Sequence, residues 1–158
     1  MKITIIAAGK IREKYLKDAI SEYEKRLSKY AKVEIIEVAD EKCPEELKGK
    51  ALELVRLKEG ERMLQRLPQG FVITLDIDGE GLSSEGLAGF IEDKAVKGES
   101  SLIFVIGGSS GLGENIREKR NFSLSFSKLT FPHQLMRVML LEQIYRAFKI
   151  INNEPYHK

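Results

Sequence analysis

The chain has 158 residues, 42% of them hydrophobic and 32% charged, with 26 Lys/Arg against 24 Asp/Glu. That length supports one domain with its own core, and a single cysteine, Cys43, excludes an internal disulfide and suits a reducing cytosol. The opening apolar run Ile3-Thr4-Ile5-Ile6-Ala7-Ala8 is short for a signal segment and no stretch is long enough to cross a bilayer, so a cytoplasmic protein without a membrane partner is expected. In chain order, residues 2–8 read as a first strand. Residues 13–30 read as an amphipathic helix with Leu16, Ala19, Ile20, Tyr23, Leu27 and Tyr30 at helical spacing. A second strand is expected over 33–39 and a charged helix over 44–67, with Pro44 in its first turn. The third strand, 71–77, ends at the turn Asp78-Gly79-Glu80-Gly81, and Ser83 or Ser84 caps a helix over 85–97. Strand four is 101–106, a short helix follows at 113–119, strand five is 124–129, and Pro132 opens a last helix to about Ile151. Alternating strands and helices with short links predict a single α/β domain, 1–158, with a mostly parallel sheet and flanking helices.

Charge is unevenly spread. Residues 1–32 carry nine Lys/Arg against four acids and residues 117–158 carry eight against three, while the middle is acidic. If the fold brings the two ends together they form a basic face suited to a polyanion; the alternative is scattered solubilising charge.

A glycine-rich turn, Gly107-Gly108-Ser109-Ser110-Gly111-Leu112-Gly113, follows the fourth strand directly. Such turns let backbone approach a ligand, or simply make a tight bend. Together with Tyr145 and Lys149 the turn mimics a short-chain dehydrogenase, but the architecture excludes that. A dinucleotide loop follows the first strand and has an acid about 20 positions on. Here that position holds Ser127-Lys128-Leu129-Thr130, and only one strand and one long helix remain.

Several strings in order over nearly the whole chain carry a closer likeness. They are Met1-Lys2-Ile3-Thr4-Ile5, Thr74-Leu75-Asp76-Ile77, Val105-Ile106-Gly107-Gly108, Leu124-Ser125-Phe126-Ser127-Lys128-Leu129-Thr130-Phe131-Pro132-His133, Glu142-Gln143-Ile144-Tyr145-Arg146-Ala147 and Tyr156-His157-Lys158. With these the chain resembles the SPOUT-class RNA methyltransferases, and within them the small RlmH family. That family methylates N3 of a pseudouridine in 23S (large-subunit) ribosomal RNA, using S-adenosylmethionine. The resemblance implies a deep C-terminal trefoil knot. It also implies a cofactor pocket lined by Leu75, Asp76, Gly107, Gly108, Phe126, Ser127, Lys128, Leu129, Thr130 and Phe131. Leu75, Leu129 and Phe131 would cover the faces of the adenine. Read from the residues alone, Phe126, Leu129 and Phe131 are ordinary core residues.

The last helix is apolar around most of its circumference, as a helix buried on more than one side should be. A C2 homodimer through it, as in the family, is expected; a central helix in a monomer is the alternative. Glu142, Arg146 and Lys149 break the pattern within an arc of about 60°. They are a helix ion pair or, by the resemblance, a charged shelf at the methyl-transfer site. The tail adds Tyr156, able to stack on a base, and His157, a side chain able to take part in proton transfer. By the resemblance, the catalytic candidates are therefore His157, Tyr156, Arg146 and Glu142. Lys158 departs from relatives ending in arginine, and His133 is expected to be structural. No cluster has metal-ligand spacing, so no metal is expected. The partners implied are ribosomal RNA or the ribosome. The rival reading is a non-catalytic RNA-binding or ribosome-assembly factor on the same fold.

Overall fold

The computed structural model describes every residue, Met1–Lys158. Its elements alternate throughout: β1 (Lys2–Ala8), α1 (Lys14–Leu27), β2 (Lys32–Val38), α2 (Gly49–Gln65), β3 (Phe71–Gly81), α3 (Ser84–Val96), β4 (Ser101–Ile106), α4 (Glu114–Arg117), β5 (Phe122–Ser125) and α5 (His133–Ile151). The strands form one sheet in the order β2-β1-β4-β3-β5, and every pairing is parallel. An all-parallel sheet needs helices on both faces, which explains why β1 and β4 are nearly continuous apolar runs.

Period-two alternation divides the core into two. Ile3, Ile5, Ala7, Leu102, Phe104 and Ile106 face the larger cluster, where they meet Leu16, Leu87, Ile91, Leu140, Ile144 and Phe148 of α1, α3 and α5. Ile6, Ala8, Ile103 and Val105 face the smaller one with Met63 of α2 and Ile116 of α4. Helix α5 lies between α1 and α3 and buries Leu140, Leu141, Ile144 and Ala147 completely. Part of its apolar circumference is thus used within the chain, while Leu135 stays 38% exposed.

The start of α5 is pinned by a buried cation. Arg137, 1% exposed, donates to the carbonyls of Ala8 (2.9 Å) and Gly9 (2.6 Å) and to Glu37 (2.8 Å). It ties the last helix to the C-terminal ends of β1 and β2. The Glu37 side chain is 35% exposed, but Arg137 is not, so losing Glu37 would leave a buried charge with only carbonyl partners.

Three expected elements are corrected. The fifth strand is Phe122–Ser125, not 124–129: the apolar alternation continues past Ser125, but the chain leaves its only neighbour, β3, there. The third strand does not stop before Asp78-Gly79-Glu80-Gly81. It continues to Gly81 across an irregularity in which Leu75 and Glu80 both pair with Leu124. The second helix begins at Gly49 rather than Pro44. Residues 44–47 form a separate turn closed by Leu47 N–H on the Pro44 carbonyl (3.0 Å), and Gly49 takes φ +61°, a bend that a helix begun at Pro44 would not pass.

Candidate functional site

Because all five strands are parallel, their C-terminal ends share one edge, where open α/β sheets place ligands. The irregular part of β3, residues 75–78, and the loops leaving β4 and β5 border a cavity of about 700 Å³ there. That is within the usual range for small-molecule sites. Its walls include Leu75, Gly107, Gly108, Phe126, Ser127, Leu129, Thr130 and Phe131, so every residue expected to line a pocket does so except Lys128.

Backbone makes much of this wall. A Cβ on Gly107 would lie 2.8 Å from the Gly111 carbonyl carbon, and Gly111 itself takes φ +86° with its N–H on the Gly108 carbonyl (3.1 Å). Only glycine fits that turn. After β5, the Ser127 hydroxyl accepts the Leu129 N–H at 3.0 Å and the Ser127 carbonyl accepts the Ser125 hydroxyl at 3.2 Å. This local bonding turns the chain away from the sheet and projects Leu129, which is 70% exposed although apolar. Phe126 is part of the way into the larger core, whereas Leu129 is not a core residue at all.

Asp76, expected in the wall beside Leu75, does line the cavity, but its partner Arg117 and several other lining residues were not anticipated. Asp76 (side chain 12% exposed) accepts hydrogen bonds from Arg117 Nη2 at 2.7 Å and Nε at 3.3 Å. Arg117 opens no motif of its own; its one sequence signal is a cation in the helix directly after the glycine turn. His133, expected to be structural, also lines the cavity, and burial, then the nearby Arg137, lowers its pKa.

The four catalytic candidates form one network. Arg146 Nε donates to Glu142 Oε1 at 3.0 Å, and the Tyr156 hydroxyl donates to the same oxygen at 3.1 Å. The guanidinium also lies 4.7 Å over the Tyr156 ring. Arg146 Nη1 meets His157 Nδ1 at 3.2 Å, and His157 Nε2 meets Glu85 Oε1 at 2.8 Å. A guanidinium can only donate, so Nδ1 is the acceptor and the neutral ring carries its proton on Nε2, towards Glu85. Burial, followed by the Glu142 charge, pushes the Tyr156 phenol up to about 12. Glu154 holds the tail in place, bonding Lys149 (2.6 Å), Tyr30 (2.6 Å) and Lys29 (3.2 Å).

These residues meet one another but do not line the cavity. Glu142 comes nearest: it lines a neighbouring hollow of about 530 Å³ that shares Leu124, Phe126 and Phe131 with the cavity. Packing of α1 on α5 does join the basic ends of the chain, yet Arg26, Lys29, Arg146 and Lys149 each pair with a carboxylate. No helix is long and apolar enough to cross a membrane.

The fold has solved relatives. A "probable methylase family protein" from Haemophilus influenzae Rd KW20 superposes with a TM-score of 0.56 at 12% identity, over 99% of this chain and 70% of its own. A tRNA (m1G37) methyltransferase from Aquifex aeolicus gives 0.55 at 14% identity, over 100% of this chain and 75% of its own. At those identities the likeness is one of fold. A family model described as "Predicted SPOUT methyltransferase" matches residues 1–157, and the chain belongs to that family.

Proposed function

We propose that this protein is an S-adenosylmethionine-dependent methyltransferase of the RlmH type, modifying N3 of a pseudouridine in 23S ribosomal RNA as a cytosolic homodimer. One observation carries the reading: a ligand-sized cavity at three strand ends, walled by backbone too close for a Cβ and by an exposed leucine. The donor set fits an adenosine-bearing molecule. Leu75, Leu129 and Phe131 supply apolar faces, and the main chain at 107–108, 127 and 129–130 supplies polar edges. When bound, S-adenosylmethionine supplies a sulfonium-activated methyl group. The protein's work is then alignment and handling of one proton.

Arg146, with Glu142 and Tyr156 fixing its plane, is the phosphate- or base-positioning group, and Tyr156 offers a ring for stacking. His157 takes the N3 proton at Nδ1, the lone pair that Arg146 covers in this arrangement. Turning Arg146 from His157 towards RNA frees that atom, so RNA binding and base activation are coupled.

Dimerisation through α5 would cover Leu135 and the half-buried Met139, and would let the charged cluster of one subunit face the cavity of the other. Threading of the C-terminal segment as a trefoil knot is part of the same proposal. It rests on the likeness to the family; beside it, the double pairing of Leu124 makes residues 76–79 a bulge against β5. At Gly79 the β5 backbone is 2.7 Å from where a Cβ would sit. The test is mass spectrometry of large-subunit RNA from a strain lacking the gene. Loss of one N3-methylpseudouridine is expected, and survival of every such nucleotide overturns the substrate assignment.

A further inference from the structure

Beneath the glycine turn, on the far side from the cavity, α2 carries a carboxylate that nothing above uses. Glu59 is 3% exposed. Its Oε2 accepts the Glu41 N–H at 2.9 Å and its Oε1 accepts the Ser110 hydroxyl at 3.3 Å. A Cβ on Gly108 would lie 3.2 Å from Oε2. Burial pushes the Glu59 carboxyl pKa upward, against the two hydrogen bonds it accepts. A carboxylate is expensive to bury, so its place under a ligand-facing turn calls for a reason.

The neighbouring residues of α2 grip the same stretch. Arg56 Nε donates to the Ser110 carbonyl at 2.6 Å, and Asn115 Nδ2 donates to the Leu57 carbonyl at 2.9 Å. Asn115 fills the space over Gly60, and a Cβ on Gly113 would lie 2.6 Å from the Arg56 carbonyl oxygen. Gly60, Gly108 and Gly113 thus mark where helix and turn pack closely, with the Asn115 side chain over Gly60, the Glu59 carboxylate under Gly108 and the Arg56 backbone against Gly113. The turn has almost no side chains with which to hold its own shape, so its shape is imposed from α2.

We propose that Glu59, assisted by Arg56, is a positioning residue for the methyl-donor cavity: by holding Ser110 and packing under Gly108 it sets the backbone of 107–111 in the form a ligand meets. The inference rests on the donor-site reading above. Glu59 touches no ligand itself; it acts through the turn.

Calorimetric titration of the full chain with S-adenosylhomocysteine, paired with melting curves of the ligand-free protein, tests it. Glu59→Ala is expected to weaken binding about tenfold, the scale of a lost hydrogen bond to a charged group. Glu59→Gln should restore affinity to within about threefold, since its amide oxygen can accept from Glu41 while its nitrogen donates to Ser110. Rescue by the isosteric variant is what general destabilisation would not give. A wild-type protein that binds no S-adenosylhomocysteine overturns the donor reading and this inference together. Wild-type binding with Glu59→Ala unchanged, or with Gln no better than Ala, overturns the inference alone. Should Glu59→Ala fail to fold, Ser110→Ala decides: weaker binding supports the role and unchanged affinity removes it.

Discussion

The donor cavity and the charged cluster at the tail are neighbours built on opposite principles. The cavity is backbone: strand ends, a turn of glycines and a loop bent by its own serines, all anchored to a buried parallel sheet. The cluster is side chain: Glu142, Arg146, Tyr156 and His157 stand on one helix and a terminal segment, held by charge at a partly wet surface. A backbone site resists loss of side chains but not gain of a Cβ, and a side-chain site behaves the other way round. Binding and chemistry should therefore be separable by mutation.

The largest expected effect falls on the cluster. Arg146→Ala cuts the link between Glu142 and His157 and leaves only the Tyr156–Glu142 bond within the cluster, and misplacement of about 1 Å can cost about 100-fold in rate. Methyl transfer to ribosomal RNA should fall on that scale, with S-adenosylhomocysteine affinity unchanged by calorimetry. Loss of affinity in this variant would break the separation. Next comes Gly107→Ala, whose new Cβ meets backbone at 2.8 Å. Overpacking of this kind costs roughly 1–3 kcal/mol, so affinity should fall at least about fivefold while the tail contacts persist.

The smallest effect is on the tail's docking and follows pH. Hydrogen bonds from Lys149, then Tyr30 and Lys29, hold the Glu154 carboxyl at about 2, below its ordinary 4.5. A folded value below the unfolded one means the contribution is complete above about pH 4.5 and is lost as pH falls towards 2. Amide exchange at residues 152–158 should accelerate across that window in the native chain. In Glu154→Gln it should already be fast at neutral pH and show no acid step. An acid step that persists in the variant would mean that another group holds the tail.

Much of the fold was legible because burial writes itself into period. Ile3–Ala8 and Leu102–Ile106 are apolar on both faces, and α1 carries its stripe at Leu16, Ile20 and Leu27. What misled were local patterns that outlasted their partners. The alternation Leu124, Phe126 suggests a strand running on, but a strand exists only while something pairs with it, and β3 is left behind at Ser125. Asp78-Gly79-Glu80-Gly81 is composed as a turn and yet completes β3, because its backbone finds β5 a second time. In the cavity, the likeness to a known family pointed to Leu75, Asp76, Gly107, Gly108 and most of 126–131; it did not show the Asp76–Arg117 pairing, His133 in the wall or Glu59 beneath the turn, whose roles depend on neighbours far away in the chain.

By itself, then, the sequence determined the α/β alternation, the buried parallel strands, the glycine turn and the few polar residues on an apolar last helix. Each is a statement about side-chain polarity and backbone freedom over short distances, which the order of residues encodes directly. Only the tertiary structure decided that α2 reaches beneath the glycine turn, that Arg137 seats α5 on β1 and β2, and that Arg146 covers the basic nitrogen of His157. Those contacts join residues up to 129 positions apart. They arise from how the layers stack, and no local pattern records that.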